Sequence, residues 1–306
     1  MIAILYEHPE WFELLFAELE RRRIPFERLH ADCLTFDPAA GSFPDLVVNR
    51  MSPSAWRRGH GNGIFTVKDY LVHLEEHRVP VVNGSRAYAV EISKVRQLDL
   101  FRRAGVGYPR ARVINHPSLA AEAAQGLEFP VVVKPNIGGS GAGIVRFDSL
   151  DQLAASPPDL GIDGTALVQE FLPARGGSII RVEVLNGEFL YAIRIFPDFT
   201  SFNLCPADIC QTDYGVCAAE APKKRLRIER ADPPPEAIAA ALRLAQAAGL
   251  DIGGLEYLVN DRNDEICFYD INALSNFVTD AVNVVGFDPT ARFVDYLESR
   301  LTAAPA

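Results

Sequence analysis

Val133-Lys134-Pro135-Asn136-Ile137-Gly138-Gly139-Ser140-Gly141-Ala142-Gly143-Ile144 sets a cation at the end of an apolar run and follows it with glycines. Glycines let backbone N–H groups approach a polyphosphate closely, and the lysine supplies the counter-charge. A plain hairpin turn with glycines at positive φ is the competing reading. The stretch is not a Walker A loop, because no Gly-Lys-Ser/Thr follows, and Gly139-Ser140-Gly141-Ala142-Gly143 lacks the dinucleotide spacing. A second set lies far downstream. Glu256 sits in one apolar run, and Asp270 and Asn272 alternate in the next, so the latter two share a face. Two carboxylates and an amide oxygen are the hard donors that Mg²⁺ prefers, completed by water and substrate phosphates. Acidic residues on a solvated sheet face are the plainer alternative. Leu255, Ile266, Phe268, Tyr269 and Ile271 make these surroundings apolar. A buried carboxylate without a cation is costly, which favours a metal site.

The elements that must position these groups begin with strand–helix alternation. Ile2–Leu5, Phe26–Leu29, Leu46–Val48 and Val79–Val82 read as strands. A helix opens at Pro9 with Phe12, Leu15, Phe16 and Leu19 on one face, and 67–77 reads as another. This alternation predicts a small parallel sheet covered by helices. Ser85–Gly105 is predicted as one helix, with Gly105 as its stop and Pro109 beyond. Strands broken by glycine follow: 131–133, 166–171, 179–184 and 189–195, the last pair joined by the hairpin signal Asn186-Gly187. Asp232 is a candidate N-cap for a helix whose stripe is Ile238, Ala241, Leu242 and Ala245, ending at Gly249. A strand pair at 255–259 and 266–271 closes the pattern. The polar, poorly periodic stretch from Pro197 to Asp232 is long enough to be functional or disordered.

The ordered set Lys94, Val133-Lys134-Pro135 with its glycines, Val168-Gln169-Glu170-Phe171-Leu172, Arg181, Glu256 and Asp270-Ile271-Asn272 resembles the ATP-grasp superfamily. Within it the chain is most similar to the RimK-type glutamate ligases and their glutathione-synthetase-like relatives, over roughly residues 85 to 300. The resemblance implies an α/β N-terminal (pre-ATP-grasp) domain at 1–88, with Val47-Val48-Asn49-Arg50 at a familiar place. An α+β ATP-grasp fold at 89–306 follows, its glycine-loop lid subdomain at roughly 108–170. It implies an ATP- and Mg²⁺-dependent carboxylate–amine ligase (Mn²⁺ being an alternative ion) that forms an amide through an acyl phosphate. Lys94 and Lys134 would contact phosphates, and Gly138 to Gly143 would be the flexible lid over them, with Gly139, Ser140 and Gly141 binding the nucleotide. Gln169, Glu170, Phe171 and Leu172 would read the adenine, and Asn203 would lie near the triphosphate. Glu256, Asp270 and Asn272 would hold the metal, and Arg181, Arg194 and Lys134 would take catalytic roles. Against these stand plainer readings: Lys94 as a solvated helix lysine, Arg194 as the partner of a structural carboxylate.

Two departures from the family stand out. Ser178-Ile179-Ile180 occupies the place of the aspartate that usually holds the ribose. Ala273-Leu274-Ser275-Asn276-Phe277 replaces the usual Ser-Pro-Gly beside the acceptor pocket, so a substrate other than glutamate on a peptide tail is expected. Phe202 to Cys210 is likewise unlike the standard relatives. The implied partners are small-molecule or peptide carboxylates and amines, and relatives are often dimers or tetramers.

At 306 residues the chain is long enough for about two domains and a large core. Its net charge of −10 argues against a dedicated nucleic-acid binder. No apolar run reaches the ~18 residues needed to span a bilayer, and Glu7 interrupts the first one, which predicts a cytoplasmic protein. Cys33, Cys205, Cys210, Cys217 and Cys267 form an odd set without a framework pattern and read as reduced thiols; a metal site on Cys205, Cys210 and Cys217 is the weaker alternative, their spacing being wider than the usual pairs of structural zinc. The basic run Lys223 to Arg230 reads as a solvated edge strand, or alternatively as a docking strip for an acidic partner. An ATP-grasp kinase acting on a hydroxyl and a non-catalytic nucleotide-binding module are the rival functional classes.

Overall fold

A computed structural model describes residues 1–39, 41–197, 202–207 and 226–302. In the first sheet β1 (Ile2–Tyr6), β2 (Phe26–His30), β3 (Leu46–Arg50) and β4 (Val81–Val82) run parallel in the order β2-β1-β3-β4. Both faces of β1 and β3 are buried, as a parallel sheet requires. Ile2, Ile4, Leu46 and Val48 pack with α1 (Glu13–Arg21), and Ala3, Leu5 and Val47 pack with α2 (Gly61–Glu76). Helix α2 starts six residues before the predicted 67, because Gly61 and Gly63 weaken the local propensity signal. The helix predicted over 85–105 is two, α3 (Ser85–Glu91) and α4 (Lys94–Ala104). Ser93 is extended between them, and its Oγ accepts the N–H of Arg96 at 3.3 Å, restarting the helix with Lys94 in its first turn.

The second sheet is antiparallel, with β5 (Ala111–Ile114), β6 (Val131–Pro135), β7 (Val145–Phe147) and β8 (Ala166–Glu170) in the order β5-β8-β6-β7. Val131, Val133 and Val168 face α5 (Ala120–Ala123) and α6 (Leu150–Ala155), in a core drawn only from residues 114–168. Alternation sends Val132, Lys134 and Gln169 to the opposite face. The glycine stretch is the connection between β6 and β7.

The third sheet, also antiparallel, orders β9 (Ile179–Leu185), β10 (Glu188–Phe196), β11 (Arg227–Arg230), β12 (Ile252–Val259) and β13 (Ile266–Asn272) as β11-β10-β9-β12-β13. Asn186 and Gly187 make the β9–β10 turn with positive φ at both positions. One face packs on α7 (Pro235–Ala248), which opens after Pro234 without a side-chain cap rather than at Asp232. Its buried stripe is Ala237, Ala240, Ala241, Leu244, Ala245 and Ala248, leaving Ile238 and Leu242 half-buried, because alanines bring the helix axis close to the sheet. Strand β11 is the exposed edge, while Lys223, Lys224 and Arg225 lie outside the described residues. After α8 (Ala281–Val285), α9 (Pro289–Thr302) returns to the first sheet, where Phe293, Val294 and Leu297 join Ile2, Ile4 and Phe16 in one core. The buried Asn83 amide fastens the same two sheets, donating to the carbonyls of Ile252 and Ala273 at 2.7 Å each. Among the described residues no helix is long and apolar enough to cross a membrane.

Candidate active site

A cleft of about 420 Å³ opens between the second and third sheets, and loops of the first sheet wall one end. Lys134 reaches it from β6. Its side chain is buried, its Nζ lies 5.3 Å from the Tyr269 ring centre, and among the described residues no carboxylate pairs with it. Burial, reinforced by the neighbouring Lys94, brings this ammonium down to about 8. Lys94 is not a solvated helix lysine. Its Nζ donates to Asp270 Oδ1 at 2.6 Å, and although burial opposes its charge, Asp270 more than compensates and raises its pKa.

The pairing of β12 with β13 sets Glu256 opposite Asp270, and that of β12 with β9 sets Glu256 opposite Arg181. Glu256 Oε1 accepts from Arg181 Nη1 at 2.8 Å, and the Asn272 amide lies 3.5 Å from the same oxygen. Burial raises the Glu256 pKa; Arg181 opposes that shift and the adjacent Asp270 adds to it. Among the described residues no three His, Cys, Asp or Glu side chains group as a metal site. The set here is instead two carboxylates and one amide oxygen, donors suited to a hard cation. Arg181 is committed on three sides. Nε donates to Glu183 Oε1 at 2.6 Å and Nη2 to Ser275 Oγ at 3.0 Å, while Ser275 Oγ donates to Glu183 Oε2 at 2.6 Å. Its role in this structure is to hold Glu256.

The glycine loop rests between two other loops. Gly141 has φ +69°, and a Cβ there would lie 2.3 Å from the Phe202 carbonyl carbon. At Gly139 a Cβ would lie 3.1 Å from Pro53 and 3.2 Å from Ser54. Ser140 sits at the tip with positive φ. At the other end Gln169, Glu170, Phe171 and Leu172 all border the cleft. Glu170 Oε1 accepts the Glu128 N–H at 2.9 Å and lies 3.2 Å from Arg110 Nη1, so its carboxylate is tied to its own sheet. Phe202, Leu204 and Cys205 line the cleft, and Asn203 turns its Oδ1 to the Cys205 N–H at 3.2 Å. Cys210 and Cys217 lie outside the described residues, and Cys33, Cys205 and Cys267 are free thiols.

Arg194 does not join this group. Its side chain is exposed on the α7 side of the sheet, where Nη1 donates to Ser178 Oγ at 3.0 Å. An irregularity between Phe189 and Tyr191 shifts the β9–β10 register by one residue, so Arg194 opposes Ile180 rather than Ile179. A one-residue slip moves a side chain to the other face. Among the described residues the plainer carboxylate pairing is not found either, and the partner seen is a serine hydroxyl.

Several cleft residues escaped sequence reasoning. Glu91 is buried, accepts the N–H of Ala273, and is pushed up to about 7 by burial; the Ala273 N–H opposes the shift and Asp270 adds to it. It clamps the 273–276 loop together with Arg50, whose Nη2 donates to the Ser275 carbonyl at 2.5 Å. Ser52, Ser54 and Trp11 also line the cleft. Glu183, which braces the site through Arg181 and Ser275, had a usable signal in its two-residue spacing from Arg181.

Residues 92–203 match the family model of the RimK-like ATP-grasp domain. The ATP-grasp ligase PsnB, solved with a phosphomimetic variant of its minimal precursor, Mg and ADP, superimposes with a TM-score of 0.66 at 20% identity, over 98% of each chain. The chain has the ATP-grasp fold. A probable alpha-L-glutamate ligase of Teredinibacter turnerae is 33% identical over 116 residues, 37% of this chain and 38% of that protein. A D-alanine–D-alanine ligase of Acidovorax ebreus is 28% identical over 200 residues, 60% of this chain and 59% of that one. The chain thus spans less than two thirds of the length of either curated relative.

Proposed function

We propose that this ATP-grasp cleft joins a carboxylate to an amine at the expense of ATP, releasing ADP and phosphate. One observation carries the reading: Lys134, a buried ammonium without a carboxylate partner among the described residues, shares the cleft with Asp270, Glu256 and Asn272 beneath a glycine loop. A cation held in that state is built for an anion that arrives with the ligand. The named relatives are ligases, and PsnB holds Mg and ADP. In this reading residues 1–88 form the wall at the acceptor end, 89–306 the grasp, and roughly 108–170 its lid.

Asp270, Glu256 and Asn272 would hold Mg²⁺, which neutralises nucleotide phosphate charge when bound. The chain's own groups do the rest. Lys94 and Lys134 draw the phosphates into place, and Arg181 keeps Glu256 aimed at the cleft. The glycine loop excludes water from the activated acid. Main-chain groups of 169–172 meet the adenine. A carboxylate resists attack because its charge repels the amine; phosphorylation by ATP removes that obstacle, and the amine displaces phosphate. The test is a screen of carboxylates with ATP, Mg²⁺ and hydroxylamine. Hydroxamate with equal ADP and phosphate is expected. ADP without phosphate would replace the reading with a kinase, and nucleotide binding without turnover would replace it with a binding module.

A further inference from the structure

We propose that the hydroxyl pair Ser52–Ser54 grips a carboxylate oxygen of the acid substrate, with Arg58 as the positioning residue behind it; this rests on the ligase reading above. Both serines follow β3, at the carboxyl ends of the parallel strands, where open α/β sheets receive ligands. Their exposures are 2% and 1%, yet both border the cleft, and the glycine loop rests on Pro53 and Ser54 at Gly139.

The argument turns on counting hydrogens. The two hydroxyl oxygens stand 2.9 Å apart, so one O–H is spent between them. Ser52 Oγ also accepts the Ser54 N–H at 3.2 Å, and Ser54 Oγ accepts Arg58 Nη1 at 3.3 Å. Three of the four lone pairs are therefore filled, and one hydroxyl hydrogen is left whichever serine donates to the other. Acceptance from the Arg58 guanidinium polarises the Ser54 hydroxyl and favours it as the donor to Ser52, which makes Ser52 the end of the chain. Donors linked in series polarise one another, and a guanidinium at the head favours an anion at the tail. Arg58 is itself fixed: its Nε donates to Glu7 Oε1 at 2.7 Å and its Nη2 to Glu7 Oε2, while His60 Nδ1 lies 2.6 Å from Glu7 Oε1. The Glu7 side chain is fully buried at the end of β1. A carboxylate is the substrate group that uses this donor and also gains from Lys94 and Lys134 in the same cleft.

The test uses the whole chain. Binding of Mg-ADP is measured first by calorimetry. Hydroxamate formation is then followed with hydroxylamine and a panel of glycine, both alanine enantiomers, aspartate, glutamate and short acidic peptides. Ser52→Ala should raise KM for the accepted acid about tenfold or more, the loss typical of a hydrogen bond to a charged group, with KM for ATP within about twofold. Ser52→Thr should restore most of the difference, and Ser54→Ala should give a smaller rise, since it uncouples Arg58. Two results overturn the proposal, an unchanged KM for the acid in Ser52→Ala or a parallel rise in KM for ATP, whereas no acid accepted although Mg-ADP binds would sink the ligase reading on which it rests. Failure of Mg-ADP to bind would instead sink the nucleotide reading on which it rests.

Discussion

Lys134→Met should make the protein more stable and inactive at once. The wild-type ammonium is held at about 8 in the folded chain, against an ordinary 10.5, chiefly by burial. At roughly 1.4 kcal/mol per tenfold change in acidity, the protonated lysine costs the folded state ~3 kcal/mol at neutral pH. The sign follows from proton counts. Below pH 8 folded and unfolded chains both keep the proton, and the whole cost is present. Between about 8 and 10.5 the unfolded chain holds more protons, so wild-type stability rises with pH. The methionine variant should therefore lead by up to ~3 kcal/mol in denaturant unfolding at pH 7, and the lead should shrink from about pH 8 upward and vanish only above about 10.5. Nucleotide phosphates should return the proton. Calorimetry at pH 8 in buffers of different ionisation enthalpy should show uptake of about half a proton per Mg-ATP bound by the wild type. A variant less stable than wild type at pH 7, together with no proton uptake, would refute the reasoning.

Four further outcomes are expected. Asp270→Ala removes a proposed metal ligand and the partner of Lys94, and Mg²⁺-dependent turnover should fall by about a thousandfold or more; near-normal rates would exclude the metal assignment. Gly141→Ala forces a side chain onto the Phe202 backbone at φ +69°, and kcat/KM should drop about tenfold with the fold intact by circular dichroism. Arg194→Ala should leave kcat and both KM values within about twofold, because the side chain lies on the α7 face. Glu91, raised to about 7, stays protonated in the folded chain where the unfolded chain has already ionised, so stability should fall as pH climbs from about 4.5 to 7. Glu91→Gln should flatten that slope in pH-dependent unfolding.

What could be read from the sequence was what neighbouring residues decide. The apolar run before Lys134, the glycines after it and the alternation of Asp270 with Asn272 each report a strand or its end within a few positions. Partnership across the fold could not be read that way. The Arg194 side depends on one extra residue in a hairpin strand, which no periodicity reveals. The restart at Ser93 was masked by good helix formers on both sides, although that restart aims Lys94 at Asp270. Ser52 and Ser54 resemble ordinary turn serines until the fold sets Arg58 behind them. Glu91 reads as an exposed helix residue, and only the return of the 273–276 loop buries it.

The distribution of apolar cores says which jaw of the cleft can swing. The first and third sheets share one, in which Ile2 and Ile4 lie with Leu185, Ile252 and the C-terminal helix, whereas the second sheet keeps its own. Rotating the second sheet about residues 171–174 would withdraw only Ile137 from the core beneath the first sheet, while prying the first sheet away tears a shared layer apart. The N-terminal segment cut free of the last helix would carry that stripped surface into water, so the two ends of this chain must be made and kept together.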